Sequence, residues 1–411
     1  MSQPFGTVSA EAILEGAATD AYFERTRTTL EHAGKNPRVV AEVTADQFPT
    51  GSFDVFTGIE DVATLFEGRD VDVDALPDGQ LFDGGPVMRI EGPYLEFAEL
   101  ETSLLGFLSQ PSGFATAALE ARLAAPDSTV LSFGARHVHP SIAATVERAA
   151  LLAGLDGFSH VAAGEILGKE PGGTMPHALM FCFGEGNQVE AWTAFDEAVP
   201  EDVPRIALVD TFWDEKSESL LAAETLGEDL DGVRIDTTSS RRGDLRHIVR
   251  EVRWELDARG RKDVDIFCSG GLDPEAIRNL RDVADGFGVG SHITGADSVD
   301  FSLDIVEISE GADDASNGRT QSGDEGTPVS KRGKLSGEKQ VYRTPDGGHQ
   351  IALADAKPPD GGEPLLEPLL RDGEIVREFD LEEATERCLA DAAAVDFGDR
   401  TTDPESDVTN G

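Results

Sequence analysis

The sequence predicts an α/β protein whose central part is built from repeated βα units around a parallel sheet, open or closed into a barrel. Three observations carry this. From about residue 129 onward, short apolar runs alternate with amphipathic helical stretches, as parallel strands do with their crossover helices. Within that region, residues 266–294 (IFCSGGLDPEAIRNLRDVADGFGVGSHIT) hold two consecutive units, each ending its strand in small residues. Several apolar runs also end in polar residues: Arg136 and His137, Asp210 and Thr211, Asp236 and Thr237, and Ser269. Strand C-termini are where folds of this class gather their chemistry.

Residues 1–112 form an irregular N-terminal α/β segment. A helix is expected over Thr19–Ala33, strands over Arg38–Thr44 and Val87–Ile90, and paired helices over Ala98–Leu108 and Gly113–Ala124. Residues 113–308 carry the regular pattern. Strand Val130–Phe133 precedes helix Pro140–Ala153, and strand Ile206–Asp210 precedes helix Ser217–Glu224. Strand Gly232–Asp236 precedes helix Asp244–Arg259, which sets Leu245, Ile248, Val252 and Leu256 on one face. Strand Asp265–Cys268, helix Pro274–Val283, strand Gly286–Val289 and a last strand Leu303–Glu307 complete the series. Residues 309–327 are acidic and of low complexity, and are expected to be a disordered insertion. Order resumes over 328–397, with a helix inside Glu374–Ala394, and the polar tail 398–411 is expected to fray.

Composition excludes several classes. The 411 residues carry 79 Asp and Glu against 34 Lys and Arg, a net charge of −45. Such a chain is no binder of nucleic acid or of an anionic membrane. Its hydrophobic content of 39% separates it from disordered acidic proteins. The acids are spread along the chain, which points to a surface adapted to high intracellular salt, where the charge is screened. Cys182, Cys268 and Cys388 are isolated, so neither a disulfide framework nor a zinc knuckle is expected. There is no signal-like N-terminus and no bilayer-length apolar run, so a cytoplasmic location is expected.

The candidate chemistry lies in the strand-end turns. Ser269, Gly270 and Gly271 after one strand, and Gly288 and Gly290 around the end of the next, stand where helix N-termini favour an anion; a phosphate is the expected ligand. Arg136 could grip a carboxylate or phosphate with its planar fork. Thr174 sits in a glycine turn leading to His177, read either as an exposed functional imidazole or as a structural one. His137 and His139 form an H-x-H pair, with zinc the weaker reading for want of further ligands. Asp210 and Asp236 could face Mg²⁺ and ribose hydroxyls, or cap the helices that follow.

FGARH, GGTMPHALM, VDTFWDE, VRIDTTSSRRGDL and FCSGGLD…DGFGVGSHIT occur in this order, flanked by TDAYFERT, EGPYLEFAELET and KRGKLSGEKQVYR. Together they resemble the archaeal nicotinate phosphoribosyltransferases, in the type II group that includes the quinolinate enzymes. The resemblance implies an incomplete, TIM-like α/β barrel, with an N-terminal α/β domain completed by the C-terminal chain. It implies condensation of nicotinate with 5-phosphoribosyl 1-pyrophosphate to give nicotinate mononucleotide and pyrophosphate. ATP hydrolysis would be coupled through a phosphohistidine at His177, with Mg²⁺ as cofactor. Asp210 and Asp236 would face ribose and Mg²⁺-pyrophosphate. Tyr22, Arg136, His137, Thr174, Thr211 and Arg234 would contact substrate, Tyr22 as the aromatic that stacks on the pyridine ring. The glycine loops and Ser269 would hold the 5′-phosphate. A homodimer or an assembly of dimers is implied. Some relatives carry a cysteine-rich zinc site near the C-terminus; this chain has only Cys388 there, so zinc is not expected.

The alternatives are a decarboxylating quinolinate phosphoribosyltransferase and a non-catalytic phosphate-ligand-binding barrel. The quinolinate reaction should need an Arg or Lys beyond Arg136, and residues 158–169 offer only His160 and Lys169. A sensor would not need Arg136, His177, Asp210 and Asp236 together.

Overall fold

The computed structural model describes residues 4–46, 51–237, 240, 243–309, 326–395 and 397. They group into two compact units, one of residues 117–296 and one of residues 1–116 with 297–411.

In the unit 117–296, six short runs form parallel strands: β1 (Thr129–Ser132), β2 (Gly157–Phe158), β3 (Ile206–Leu208), β4 (Gly232–Ile235), β5 (Asp265–Cys268) and β6 (Gly286–Val289). Strands β3 and β6 are buried along their whole length, as parallel strands covered on both faces must be. The sheet order is β2-β1-β6-β5-β4-β3, and every pairing is parallel. Since β1 pairs with β6, chain order runs around a circle broken only between β2 and β3. The sheet is therefore an incomplete β/α barrel with one open seam. The chain that crosses the seam, residues 159–205, holds three helices: Val161–Leu167, His177–Phe183 and Gln188–Ala198.

Aspartates set where the helices after the strands begin. Asp214 accepts from Ser217 N–H at 3.0 Å at the head of helix Glu215–Leu226. Asp244 accepts from His247 N–H at 3.3 Å before helix Leu245–Ala258, and Asp273 from Ala276 N–H at 2.8 Å before Pro274–Leu280. These three are the N-caps. Asp210 and Asp236 are not, which removes their alternative reading.

In the other unit, a seven-stranded sheet runs through both ends of the chain. Strand Arg38–Thr44 pairs antiparallel with Met88–Pro93 on one side and Ser302–Ser309 on the other. Asp72–Ala75 pairs with Glu367–Arg371 of the C-terminal chain. Val39, Ala41, Val43, Phe66, Ile90 and Leu369 lie in one apolar core.

Three expectations change. Ala98–Leu108 and Gly113–Ala124 are not paired helices; a 3₁₀ turn leads into one helix, Glu101–Ala124, that continues through Pro111. Leu104, Leu108, Phe114, Ala118 and Leu119 are buried along it, and that packing outweighs the hydrogen bond proline removes. The strand at 303–307 is not the last barrel strand; it belongs to the antiparallel sheet, where its edge hydrogen bonds go to Arg38–Thr44. Of the acidic stretch, 310–325 lies outside the described residues, while Ser309 and Thr327 are strand residues, Thr327 paired with Ile308. The tail 398–411 also lies outside them.

Candidate active site

The strand ends of the half-barrel surround a cavity of about 410 Å³. Arg136, His137, Thr174, Arg234, Asp236, Ser269, Gly270, Gly271, Gly288 and Gly290 line it, while His177, Asp210 and Thr211 are not among its lining residues.

Arg234 lies within β4, its side chain 12% exposed. It donates from Nη1 to Thr174 Oγ1 at 2.5 Å, and Nη2 is 3.8 Å from Asp236 Oδ2. Its buried Nε finds no acceptor among the described residues. Burial lowers its pKa and Arg136 adds repulsion, against the attraction of Asp236 and Asp210. An arginine keeps its charge under such shifts, so the cavity holds two neighbouring guanidiniums and a strong demand for an anion. Arg136 is exposed, on a 3₁₀ turn after β1, and donates to His137 Nε2 at 3.3 Å.

Asp236 follows β4. Its Oδ1 accepts from Ser269 Oγ at 2.8 Å, and its Oδ2 is 3.5 Å from His177 Nε2. Burial pushes its pKa up, but the bonds from His177 and Ser269 and the charge of Arg234 outweigh that and hold it below the usual carboxylate range. Asp210 follows β3 and is 2% exposed. Its Oδ2 accepts from Asp236 N–H at 2.8 Å and Thr237 Oγ1 at 2.9 Å. Its Oδ1 faces His177 Nε2 at 3.9 Å and has no hydrogen bond among the described residues. Burial raises the Asp210 pKa.

His177 opens helix His177–Phe183, in the segment that crosses the seam. The turn before it therefore follows a helix and a loop, not a strand as its sequence suggested. Nδ1 meets Thr211 Oγ1 at 3.2 Å. Since Nε2 faces two carboxylates, the proton of the neutral ring belongs on Nε2, and Nδ1 accepts from the Thr211 hydroxyl. The bond to Asp236 and the charges of both carboxylates raise the His177 pKa, against burial and Arg234.

The glycines play unequal parts. A Cβ on Gly288 would meet the Phe133 ring at 2.4 Å, and one on Gly290 would meet His137 at 3.1 Å; both leave room for neighbours. Gly271, at φ +70°, faces open space. The helix after β5 is already capped by Asp273, and the one after β6 is a single turn, Ser291–Thr294. The helix-dipole argument for an anion is thus weaker than the sequence suggested, and the guanidiniums carry more of it.

Tyr22 belongs to the other unit. It is exposed on helix Ala21–His32, and its hydroxyl donates to Asp20 at 3.0 Å. Sequence reasoning missed Phe133 and Ser159, which also line the cavity. Phe133 stands inside the FGARH motif, so its signal was available. It also overlooked Arg234 as a second cation when weighing quinolinate, because an arginine one residue from a strand's end does not announce which way it points. His137 and His139 gather no metal-ligand cluster: none of three or more His, Cys, Asp or Glu occurs among the described residues. No helix among them is long and apolar enough to cross a membrane.

Residues 20–112 match the quinolinate phosphoribosyl transferase N-terminal domain, and residues 114–304 match the C-terminal domain of that family. A nicotinate phosphoribosyltransferase of Mycobacterium tuberculosis is 31% identical over 325 residues, 75% of this chain and 65% of that protein. The match thus spans just under two thirds of the relative's length. The crystal structure of a nicotinate-nucleotide pyrophosphorylase from Pyrococcus furiosus superposes with a TM-score of 0.88 at 47% identity, covering 96% of this chain and 99% of that one. Human nicotinic acid phosphoribosyltransferase, at 23% identity and a TM-score of 0.72 over 92% of this chain and 93% of its own, shares the fold. The chain belongs to the type II phosphoribosyltransferase family.

Proposed function

We propose that the protein is a nicotinate phosphoribosyltransferase in pyridine nucleotide salvage. It would form nicotinate mononucleotide and pyrophosphate from nicotinate and 5-phosphoribosyl 1-pyrophosphate, with coupled ATP hydrolysis. The observation that carries this reading is His177, held beside Asp236 and Asp210 next to a cavity with two guanidiniums. The similarity to the mycobacterial enzyme supports the same substrate.

The residues suit the reaction. The C1′–O bond of the donor breaks, the electron pair leaves with pyrophosphate, and the pyridine nitrogen supplies the pair for the new C1′–N bond. Arg234 and Arg136 would neutralise charge on the leaving group or the nicotinate carboxylate. The Asp236 carboxylate would face the ring as positive charge develops on it. Ser269, Gly270 and Gly271, with the backbone at Gly288 and Gly290, would hold the 5′-phosphate.

Mg²⁺ suits this donor set. It binds through one or two carboxylates plus substrate phosphates, and Asp236 with Asp210 Oδ1, which has no hydrogen bond among the described residues, offers that oxygen chemistry. When bound, the ion stabilises charge on the departing pyrophosphate.

The quinolinate reaction is the second reading. The Pyrococcus furiosus structure is named a nicotinate-nucleotide pyrophosphorylase, and Arg234 supplies the second cation that reaction was expected to need. The test is a product assay with nicotinate, nicotinamide and quinolinate in parallel, with and without ATP, in high KCl. Nicotinate mononucleotide from nicotinate, stimulated by ATP, is the expected result. CO₂ release from quinolinate, without turnover of nicotinate, would replace this reading by the second.

The ATP step has its own test. For His177 to become phosphorylated, a ring nitrogen must present a free lone pair, so the cation must first lose a proton. Because the pKa of His177 is raised, labelling by γ-³²P-ATP should increase with pH through a midpoint above the ordinary imidazole value. His177→Ala should abolish both the label and the ATP stimulation while leaving some ATP-independent turnover. Full ATP coupling in that variant would end the phosphohistidine assignment.

A further inference from the structure

Glu218 is a wholly buried carboxylate that none of the steps above uses. It lies in helix Glu215–Leu226, and no cation pairs with it among the described ion pairs. Backbone and amide N–H groups surround it instead. Oε2 accepts from Thr211 N–H at 3.0 Å. Oε1 accepts from Phe212 N–H at 3.1 Å, Trp213 N–H at 3.0 Å and Gln188 Nε2 at 3.0 Å. Gln188, 1% exposed, begins the helix that follows the one opened by His177.

We propose that Glu218 and Gln188 form a positioning clamp that fixes the His177 imidazole through the Thr211–Trp213 turn. The inference rests on the reading of His177 as a reactive ring. The two sides of the His177–Thr211 contact come from different parts of the chain. His177 is carried by the segment that crosses the open seam, and Thr211 by the turn after β3. No β-ladder joins β2 to β3, so the sheet itself does not set the spacing of these parts. Glu218 bonds to both: to the seam segment through Gln188, and to the turn through three consecutive N–H groups. The turn then presents Thr211 Oγ1 to Nδ1, which leaves Nε2 directed at Asp236 and Asp210.

A buried carboxylate is costly unless every lone pair is used, and here a short turn with no internal ladder supplies the donors. Glutamine in its place keeps the volume but turns an NH₂ group toward at least one of those N–H donors. The turn must shift, and a shift of about 1 Å at a reacting group can cost up to roughly 100-fold in rate.

The experiment is a long-range ¹H–¹⁵N NMR correlation of ¹⁵N,¹³C-histidine-labelled full-length protein in high KCl, with His177→Ala used to assign the resonance. In the unmodified protein the neutral His177 ring should carry its proton on Nε2; in Glu218→Gln its two neutral tautomers should come closer to equal. Phosphoribosyl transfer should fall through kcat, with KM for nicotinate little changed. Thr211→Val, which removes only the hydroxyl, covers the case in which Glu218→Gln does not fold. It should change the tautomer ratio the same way, and the double variant should match the single ones. An unchanged tautomer ratio in either folded variant overturns the clamp. A changed ratio in a protein whose ATP coupling survives His177→Ala would leave the clamp standing and remove the reading of His177 on which its catalytic meaning rests.

Discussion

Asp236→Asn should lower kcat/KM for the phosphoribosyl donor by roughly 10²–10³-fold, the cost of removing one preorganised electrostatic group from a transition state. Asparagine keeps the shape and can still accept from Ser269 Oγ. What it loses is the charge, and that charge has three partners. In the proposed reaction it faces the developing ribosyl cation, and in the structure it lies 3.8 Å from Arg234 Nη2 and 3.5 Å from His177 Nε2. The bond to Asp236 is the largest cause of the raised His177 pKa, so that pKa should fall in the variant. The sign follows for pH dependence: phosphorylation of His177 should reach its plateau at lower pH than in the parent. Initial rates and the His177 titration measure the two effects separately. A loss of less than tenfold in kcat/KM, in a variant with an unchanged circular dichroism spectrum, would mean that Asp236 does not face the reacting centre.

The barrel was legible in the sequence because its strands are short, apolar and ended by abrupt polar or glycine residues. Asp265–Cys268 and Gly286–Val289 have the observed bounds for that reason, as does Arg38–Thr44 in the other unit. The strand at 302–309 was assigned to the wrong sheet because an apolar run does not reveal whether its partner is parallel or antiparallel. Pro111 broke the expected helix, since local propensity says nothing of the burial on both sides of it. In the site, residues just past strands were readable from position alone: Arg136, Asp210, Asp236, Ser269. The capping question about the two aspartates was also answerable, since Asp214 and Asp244 stand directly before the helical patterns. Glu218 was not readable. A glutamate among 79 acids looks like a solvated face until the structure buries it against four donors.

Dialysis to near-zero salt should unfold the protein at 25 °C, and added KCl should raise its melting temperature steadily. The net charge of −45 is felt at identifiable places. Glu101 is pushed up to about 7 by burial, with Asp304 and Asp20 adding repulsion. Asp265 is raised by burial and by Asp285 and Asp231, and Glu307 by burial and by Glu338, Glu91 and Asp355. The Debye length shrinks from about 10 Å at 0.1 M salt to about 3 Å at 1 M, below the spacing of most exposed charges, so screening removes the long-range part of the repulsion. Protons should substitute for salt in part. A carboxyl whose folded pKa lies above its unfolded value binds its proton more tightly when folded, so its stabilising contribution is complete below the unfolded value and is lost as pH rises through the folded one. For Glu101, and for Glu147, which burial also pushes to about 7, that window runs from the ordinary glutamate range up to about 7. At low salt, therefore, a shift from pH 8 to about pH 6 should recover part of the lost helical signal. In 2 M KCl the long-range repulsion is already screened, and the same shift should recover less. Circular dichroism across a grid of KCl and pH measures both effects. A native spectrum with full activity near zero salt would show that short-range packing alone carries the fold against its charge.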